Sequence, residues 1–231
     1  MIIDPDNYNY VQDVYQSPYC KAVIIALKFI YNGITHYSQG TGFMVGDKVI
    51  LTAGHVIWHT TFNIQPTEIR IYLRYSETKT DSTALFNDSG YYHPKSWVLS
   101  SNFARDEENY NYDWCYLTAW ESIGYTYTGF FGIGTTTNDI SEPTMYVTGY
   151  PDVAGRRYYQ YWSSGSLDSI SDYRVQHTCS TEGGHSGAPI YSNNYVVWSI
   201  HTSHGTSMNY GVRITRTLYD LIINKRAETE T

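Results

Sequence analysis

Ser186 lies in the run Thr181-Glu182-Gly183-Gly184-His185-Ser186-Gly187-Ala188-Pro189, and His55 lies far upstream in Leu51-Thr52-Ala53-Gly54-His55-Val56. A serine hydroxyl is a poor nucleophile at its own pKa, so it needs an adjacent base to take its proton, and the base needs a third group to fix its tautomer. Asp113, in Tyr112-Asp113-Trp114-Cys115-Tyr116-Leu117, opens a strand-like stretch of alternating apolar residues and is the best third member. Asp106, Glu107 and Glu108 are near it in the chain, but they sit in a solvated run of charge. The chemistry open to such a trio is acyl transfer: Ser186 attacks a carbonyl, His55 moves the proton to the leaving amine, and Asp113 holds and stabilises the imidazolium.

The order His, Asp, Ser along the chain separates folds, because the same trio occurs in other orders on α/β-hydrolases and subtilisins. Thr52-Ala53-Gly54-His55, Asp113 with its alternating neighbours, and Gly184-His185-Ser186-Gly187 resemble the chymotrypsin-like serine proteases over most of the chain. Within them, the 181–187 box, Thr148-Gly149-Tyr150-Pro151 and Ser199-Ile200-His201 are most similar to bacterial glutamyl endopeptidases of the staphylococcal type. The resemblance implies two six-stranded antiparallel β-barrels with a C-terminal α-helix and an active-site groove between the barrels. It also implies an oxyanion hole made by the amides of Gly184 and Ser186, with Gly183 and Gly184 supplying the backbone freedom the loop needs. One such donor is typically worth ~3 kcal/mol of barrier, so a collapsed loop would silence an intact triad.

The pocket for the residue before the cut is also legible through the resemblance. Trypsin-like enzymes that cut after Lys or Arg carry an acid six residues before the nucleophile, where this chain has Ser180, so a substrate cation lacks its buried counter-charge. In glutamyl endopeptidases a threonine five residues before the nucleophile and a histidine on a later strand line the pocket; these positions hold Thr181 and His201. A hydroxyl and a ring N–H are suitable donors for a desolvated carboxylate. His201 as a buried strand histidine with a structural hydrogen bond is the competing reading. The family often adds a newly exposed amino terminus near the pocket, and Ile2 or Ile3 falls near the matching place. His185 departs from the aspartate of trypsin-type zymogens and the asparagine usual in the glutamyl enzymes, and is expected to be exposed beside the site. His201 with His204 lacks a further carboxylate or cysteine at zinc-site spacing, so neither a metal nor any cofactor is expected.

The elements that must position these groups are short β-rich runs at 22–30, 42–45, 49–53, 69–75, 113–120, 144–150, 157–165, 174–178, 188–191, 196–201 and 210–214, separated by turn residues. Gly46-Asp47 reads as a tight turn whose second strand delivers His55. Residues 216–225 carry Leu218, Leu221 and Ile222 at helical spacing, and 100–112 and 124–139 read as loops. The expected division is 1–123 for the amino-terminal segment and first barrel, with His55 and Asp113, and 124–231 for the second barrel with Ser186, the pocket and the helix.

A chain of 231 residues can bury a sizeable core, and no apolar run approaches a membrane span. With 15 Lys and Arg against 22 Asp and Glu, the formal charge of −7 opposes attraction to nucleic acid or anionic membranes. Three cysteines, Cys20, Cys115 and Cys179, allow at most one disulfide, with Cys115 read as a small buried hydrophobe. Met1-Ile2-Ile3-Asp4-Pro5-Asp6 lacks the basic start and apolar core of a signal peptide. The combined expectation is a secreted, monomeric serine endopeptidase without its leader, cutting peptide or protein substrates after Glu or Asp. The rivals are the same enzyme with another preference, and a silent homologue that binds peptides in the groove.

Overall fold

The computed structural model of the chain describes residues 1–4, 7–77, 83–105, 109–135, 144–153 and 158–230. Asp106, Glu107, Glu108 and the 136–139 end of the second expected loop lie outside these residues, as does residue 157 of an expected strand. The short strand β1 (Tyr8–Tyr10) is followed by a long hairpin of β2 (Ala22–Tyr31) and β3 (Ile34–Met44). β2 is rich in Val, Ile and Leu and is buried over its first six residues, which suits a strand covered on both faces. Asn32 and Gly33 turn the hairpin with φ of 51° and 78°, the pair of positive angles a two-residue turn of right-handed twist requires. β4 (Val49–Thr52) leads into the one-turn helix α1 (Gly54–Ile57), and β5 (Glu68–Leu73), β6 (Pro94–Leu99), the short α2 (Ser101–Arg105) and β7 (Cys115–Ala119) follow. These strands form a six-stranded antiparallel sheet in the order β5-β2-β3-β4-β7-β6.

The second sheet is built from β8 (Gly132–Ile133), β9 (Met145–Gly149), β10 (Tyr161–Gly165), β11 (Leu167–Ile170), β12 (Arg174–His177), β13 (Pro189–Ser192), β14 (Val196–His204) and β15 (Asn209–Arg213). Its order is β1-β10-β9-β13-β14-β15-β12-β11, with β8 added parallel to β14. It has nine strands, β1 returning from the amino-terminal segment to pair with β10 and β8 lying off the main path beside β14. The helix α3 (Arg216–Thr229) is capped by the Thr215 hydroxyl, which accepts from Leu218 N at 3.3 Å. Leu218 and Ile222 join a core that also holds Val49 and Ile50 of the first sheet and Val197 and Ile200 of the second. All three cysteines are buried and free.

The two sheets are stitched together at Thr41. Its N–H donates to Ser186 O at 2.9 Å, its hydroxyl donates to Gly184 O at 2.8 Å and accepts from Tyr150 N at 2.9 Å, and its carbonyl accepts from Thr52 Oγ1 at 2.7 Å. One residue of β3 thus ties the nucleophile loop to the strand that delivers His55.

Candidate active site

The register of the first sheet brings His55 to Asp113. The β4–β7 pairing ends at Thr52 opposite Cys115, and just beyond it Gly54 of α1 lies against the Asp113 carboxylate. Asp113 is 1% exposed and its carboxylate is fully engaged: Oδ2 lies 2.7 Å from His55 Nδ1, and Oδ1 accepts the His55 backbone N–H at 2.8 Å. Two bonds from one buried carboxylate leave the imidazole a single orientation, with Nδ1 protonated and Nε2 free to act as a base. Burial alone pushes the His55 ring down, but the charge and hydrogen bond of Asp113 outweigh it, and the pKa stands above the ordinary histidine value. The side chain keeps 31% of its surface exposed, so one edge of the ring meets solvent.

Ser186 is held by a loop whose shape depends on two glycines. Gly187 has φ 86°, and a Cβ there would sit 2.1 Å from Thr41 O and 2.2 Å from Thr52 Oγ1. Gly184 has φ 95°, and a Cβ there would sit 2.5 Å from Tyr150 O. No larger residue fits either place, which is why the box reads Gly-His-Ser-Gly. The Gly183 carbonyl accepts from Asp152 N at 2.7 Å, and in a trans peptide the following N–H points the opposite way. The Gly184 amide is therefore turned out of that contact, and neither it nor the Ser186 amide finds an acceptor among the described residues. No hydrogen bond of 3.5 Å or less joins Ser186 to the His55 ring; in enzymes without substrate such bonds are commonly long and tighten on binding. Gly40 bridges the two residues' surroundings, lying against the Val56 side chain and Ser186 O.

Thr181 and His201 are both buried beside this loop. Gly187 N donates to His201 O at 2.8 Å, which fixes β14 against the nucleophile. The Met1 amino group is 3.3 Å from Thr181 Oγ1, while Met1 O accepts from Thr181 N and from Asn209 Nδ2. The Ser180 hydroxyl binds Ile3 N and Asp4 N at 2.9 Å each, so this position serves the amino-terminal segment and is not a counter-charge. Behind His201 lies a residue the sequence did not flag: His177 Nε2 is 3.2 Å from His201 Nδ1. His177 Nδ1 is buried without a partner. The tautomer that leaves no unpaired N–H on His177 has its Nε2 donating to His201 Nδ1. His201 then carries its own proton on Nε2, which has no partner among the described residues.

A protein-family model described as "Trypsin-like peptidase domain" matches residues 40–197, the stretch that holds both the His55–Asp113 pair and the Ser186 loop. The chain belongs to the trypsin-like peptidase family. It is 29% identical over 218 residues to a glutamyl endopeptidase of Bacillus licheniformis, covering 84% of this chain and 63% of that relative. It is 26% identical over 235 residues to a Bacillus subtilis protein named extracellular metalloprotease, covering 96% of this chain and 68% of that one. The solved structure of a Glu endopeptidase in complex with MPD superposes with a TM-score of 0.77 at 20% identity, covering 98% of this chain and all of the other. Among the described residues no group of three His, Cys, Asp or Glu side chains is arranged to hold a metal ion.

His185 corrects one expectation for this member of the family: it is buried rather than exposed. Its Nδ1 accepts from Glu182 N at 3.2 Å, its ring lies 5.8 Å from that of Tyr8, and burial pushes its pKa down to about 3. Burial likewise takes His177 down to about 3 and His201 well below the ordinary value. These rings stay neutral in the folded chain while the unfolded chain protonates near pH 6.5, so stability is intact above that pH and falls as the pH drops toward about 3. Each such ring removes about 1.4 kcal/mol per pH unit across the window. An asparagine can accept from Glu182 N without this liability. In urea unfolding at pH 7 and pH 4.5, His185→Asn is expected to lose about 2–3 kcal/mol less than the parent on acidification. An identical loss would mean that His185 takes up its proton freely in the folded state.

Proposed function

We propose that the chain is a serine endopeptidase that hydrolyses peptide bonds after glutamate, and after aspartate more slowly, with Ser186 as nucleophile, His55 as base and then acid, and Asp113 orienting the imidazole. The observation that carries this reading is the doubly bonded, buried Asp113 carboxylate on His55. The acyl-enzyme forms when Ser186 Oγ attacks the carbonyl carbon and His55 Nε2 passes the Ser186 proton to the leaving amine; water then repeats the sequence in reverse. The developing oxyanion is received by the Gly184 and Ser186 amides, whose lack of any other acceptor supports the assignment.

Preference for an acidic residue is supported by two buried donor-bearing side chains next to the Ser186 loop, the Thr181 hydroxyl and the His201 ring, whose Nδ1 is bonded to His177. The test is a set of four peptides differing only at the residue before the cut, Glu, Asp, Phe or Arg. Cleavage after Glu is expected to exceed cleavage after Phe by at least about 100-fold in kcat/KM, since a desolvated carboxylate needs its donors and a phenyl ring leaves them unpaired. His201→Leu should erase most of that ratio while sparing the Phe peptide. A faster cut after Arg, or equal losses on both peptides in His201→Leu, overturns the pocket assignment.

A further inference from the structure

β14 outruns its partner. Its pairing with β13 ends at Pro189↔Ile200 and at the bonds of His201 with Ala188 and Gly187, whereas Ser203 and His204 pair only with β15 and Thr202 sits at the register shift between them and His201. This leaves an unpaired strand edge that begins beside Ser186. A peptide added antiparallel to that edge runs from His204 toward His201, so the residues preceding the cut lie along Ser203 and His204.

Arg174 stands over this edge. From β12 its guanidinium reaches across β15, stacks 4.8 Å from the Tyr210 ring centroid and 5.8 Å from that of Tyr110, and donates from Nη2 to Ser203 Oγ at 3.1 Å. Tyr110 comes from the first half of the chain and Tyr210 from the second, so the cation lies against rings from two distant segments. Among the described residues no carboxylate lies within ion-pair distance of it, Nε is buried without a partner, and Nη1 is uncommitted. Burial lowers its pKa, while Tyr210, Asp113 and Tyr110 oppose the change. A half-buried, oriented guanidinium with a free N–H is a receptor for a carboxylate.

We propose that Arg174, with Tyr110, Tyr210 and Ser203, forms a second acidic subsite that binds a glutamate or aspartate two to four residues before the cut. This rests on the endopeptidase reading above, and makes the enzyme selective for clusters of acidic residues and not for a single one. Arg174 also feels the Asp113 charge, so a role in supporting the His55–Asp113 pair is the alternative that the test must separate.

The test uses the full chain carrying Ser186→Ala, so that binding is read without turnover, and labelled peptides with Glu before the cut and Glu, Gln or Lys scanned over the three preceding positions. Fluorescence anisotropy is expected to show about tenfold tighter binding for Glu than for Gln at one of those positions. Arg174→Gln should remove that difference, and Arg174→Glu should make Lys the preferred residue. Equal Glu and Gln affinities at every position, or a Glu preference that survives Arg174→Glu in protein of unchanged unfolding midpoint, overturns the proposal. Should Arg174→Glu fail to fold, Arg174→Lys and Arg174→Gln carry the comparison. In the chain with Ser186 present, Arg174→Gln should lower kcat/KM for the Glu peptide alone and leave the acid limb of the pH profile in place. A uniform fall in kcat with a moved limb would assign Arg174 to the catalytic pair instead. If Ser186→Ala cleaves as fast as the parent, the endopeptidase mechanism fails while the binding preference remains readable.

Discussion

Alanine at position 186 is expected to lower kcat by about 10⁵ to 10⁶-fold while leaving peptide affinity nearly unchanged, because the nucleophile and its base act as a unit and removal of either forfeits the covalent route. The Ser186 hydroxyl makes no hydrogen bond that holds the loop together; Gly184, Gly187 and Thr41 do that through main-chain contacts, so the variant should fold normally. The residual rate should reflect the two loop amides and substrate positioning alone. Steady-state turnover of the Glu peptide, with unfolding midpoints measured in parallel, decides the matter: a residual activity above about one per cent would exclude Ser186 as the attacking group.

Asparagine at position 113 should lower kcat by about 10⁴-fold near neutral pH, with little change in fold. The amide can still accept at one atom, but its NH₂ group faces an atom of His55 that must itself donate, and the imidazole turns to the wrong tautomer. The pH profile adds a signature that misfolding would not produce. Activity needs His55 neutral, so the parent loses activity as the pH falls through the raised His55 value. Without the carboxylate, burial is the larger influence left on that ring, and the acid limb should move to lower pH. The linked stability term runs the other way: pairing with Asp113 favours the protonated ring, so its contribution is full below the unfolded histidine value and is lost as the pH rises through the folded one. A variant whose acid limb stays in place would show that Asp113 does not set the ionisation of His55.

The proposed triad rests first on residue types and order. Each triad segment carries a local rule, namely the acid at the head of an alternating strand, the histidine just past a buried strand, and the serine between glycines whose neighbours tolerate no Cβ. The first sheet was legible for the same reason: β2, β4 and β7 are nearly continuous apolar runs. The polar half of β3, the edge strand β6 and the three-residue β1 were not, because they are partly exposed and carry no clean alternation. His177 and Arg174 were missed because their importance comes from strand order. β12 joins β14 only through β15, and nothing near residues 174–177 in the chain announces that neighbour. Burial of His185 was missed because the amino-terminal strand bearing Tyr8 covers it, a contact spanning most of the chain.

The knot of bonds at Thr41 constrains how this enzyme can be recombined with its relatives. A chimera that takes the nucleophile half from one parent and the histidine half from another would place a foreign residue opposite Gly184, Gly187 and Tyr150, and the loop would lose its anchor even if every catalytic group were present. The crossover point must therefore leave Gly40 and Thr41 travelling with the distant loop they hold, although some 145 positions separate them in the chain (186 − 41). Inheritance in this molecule follows contacts, and the seam between its halves is not where the chain alone would cut it.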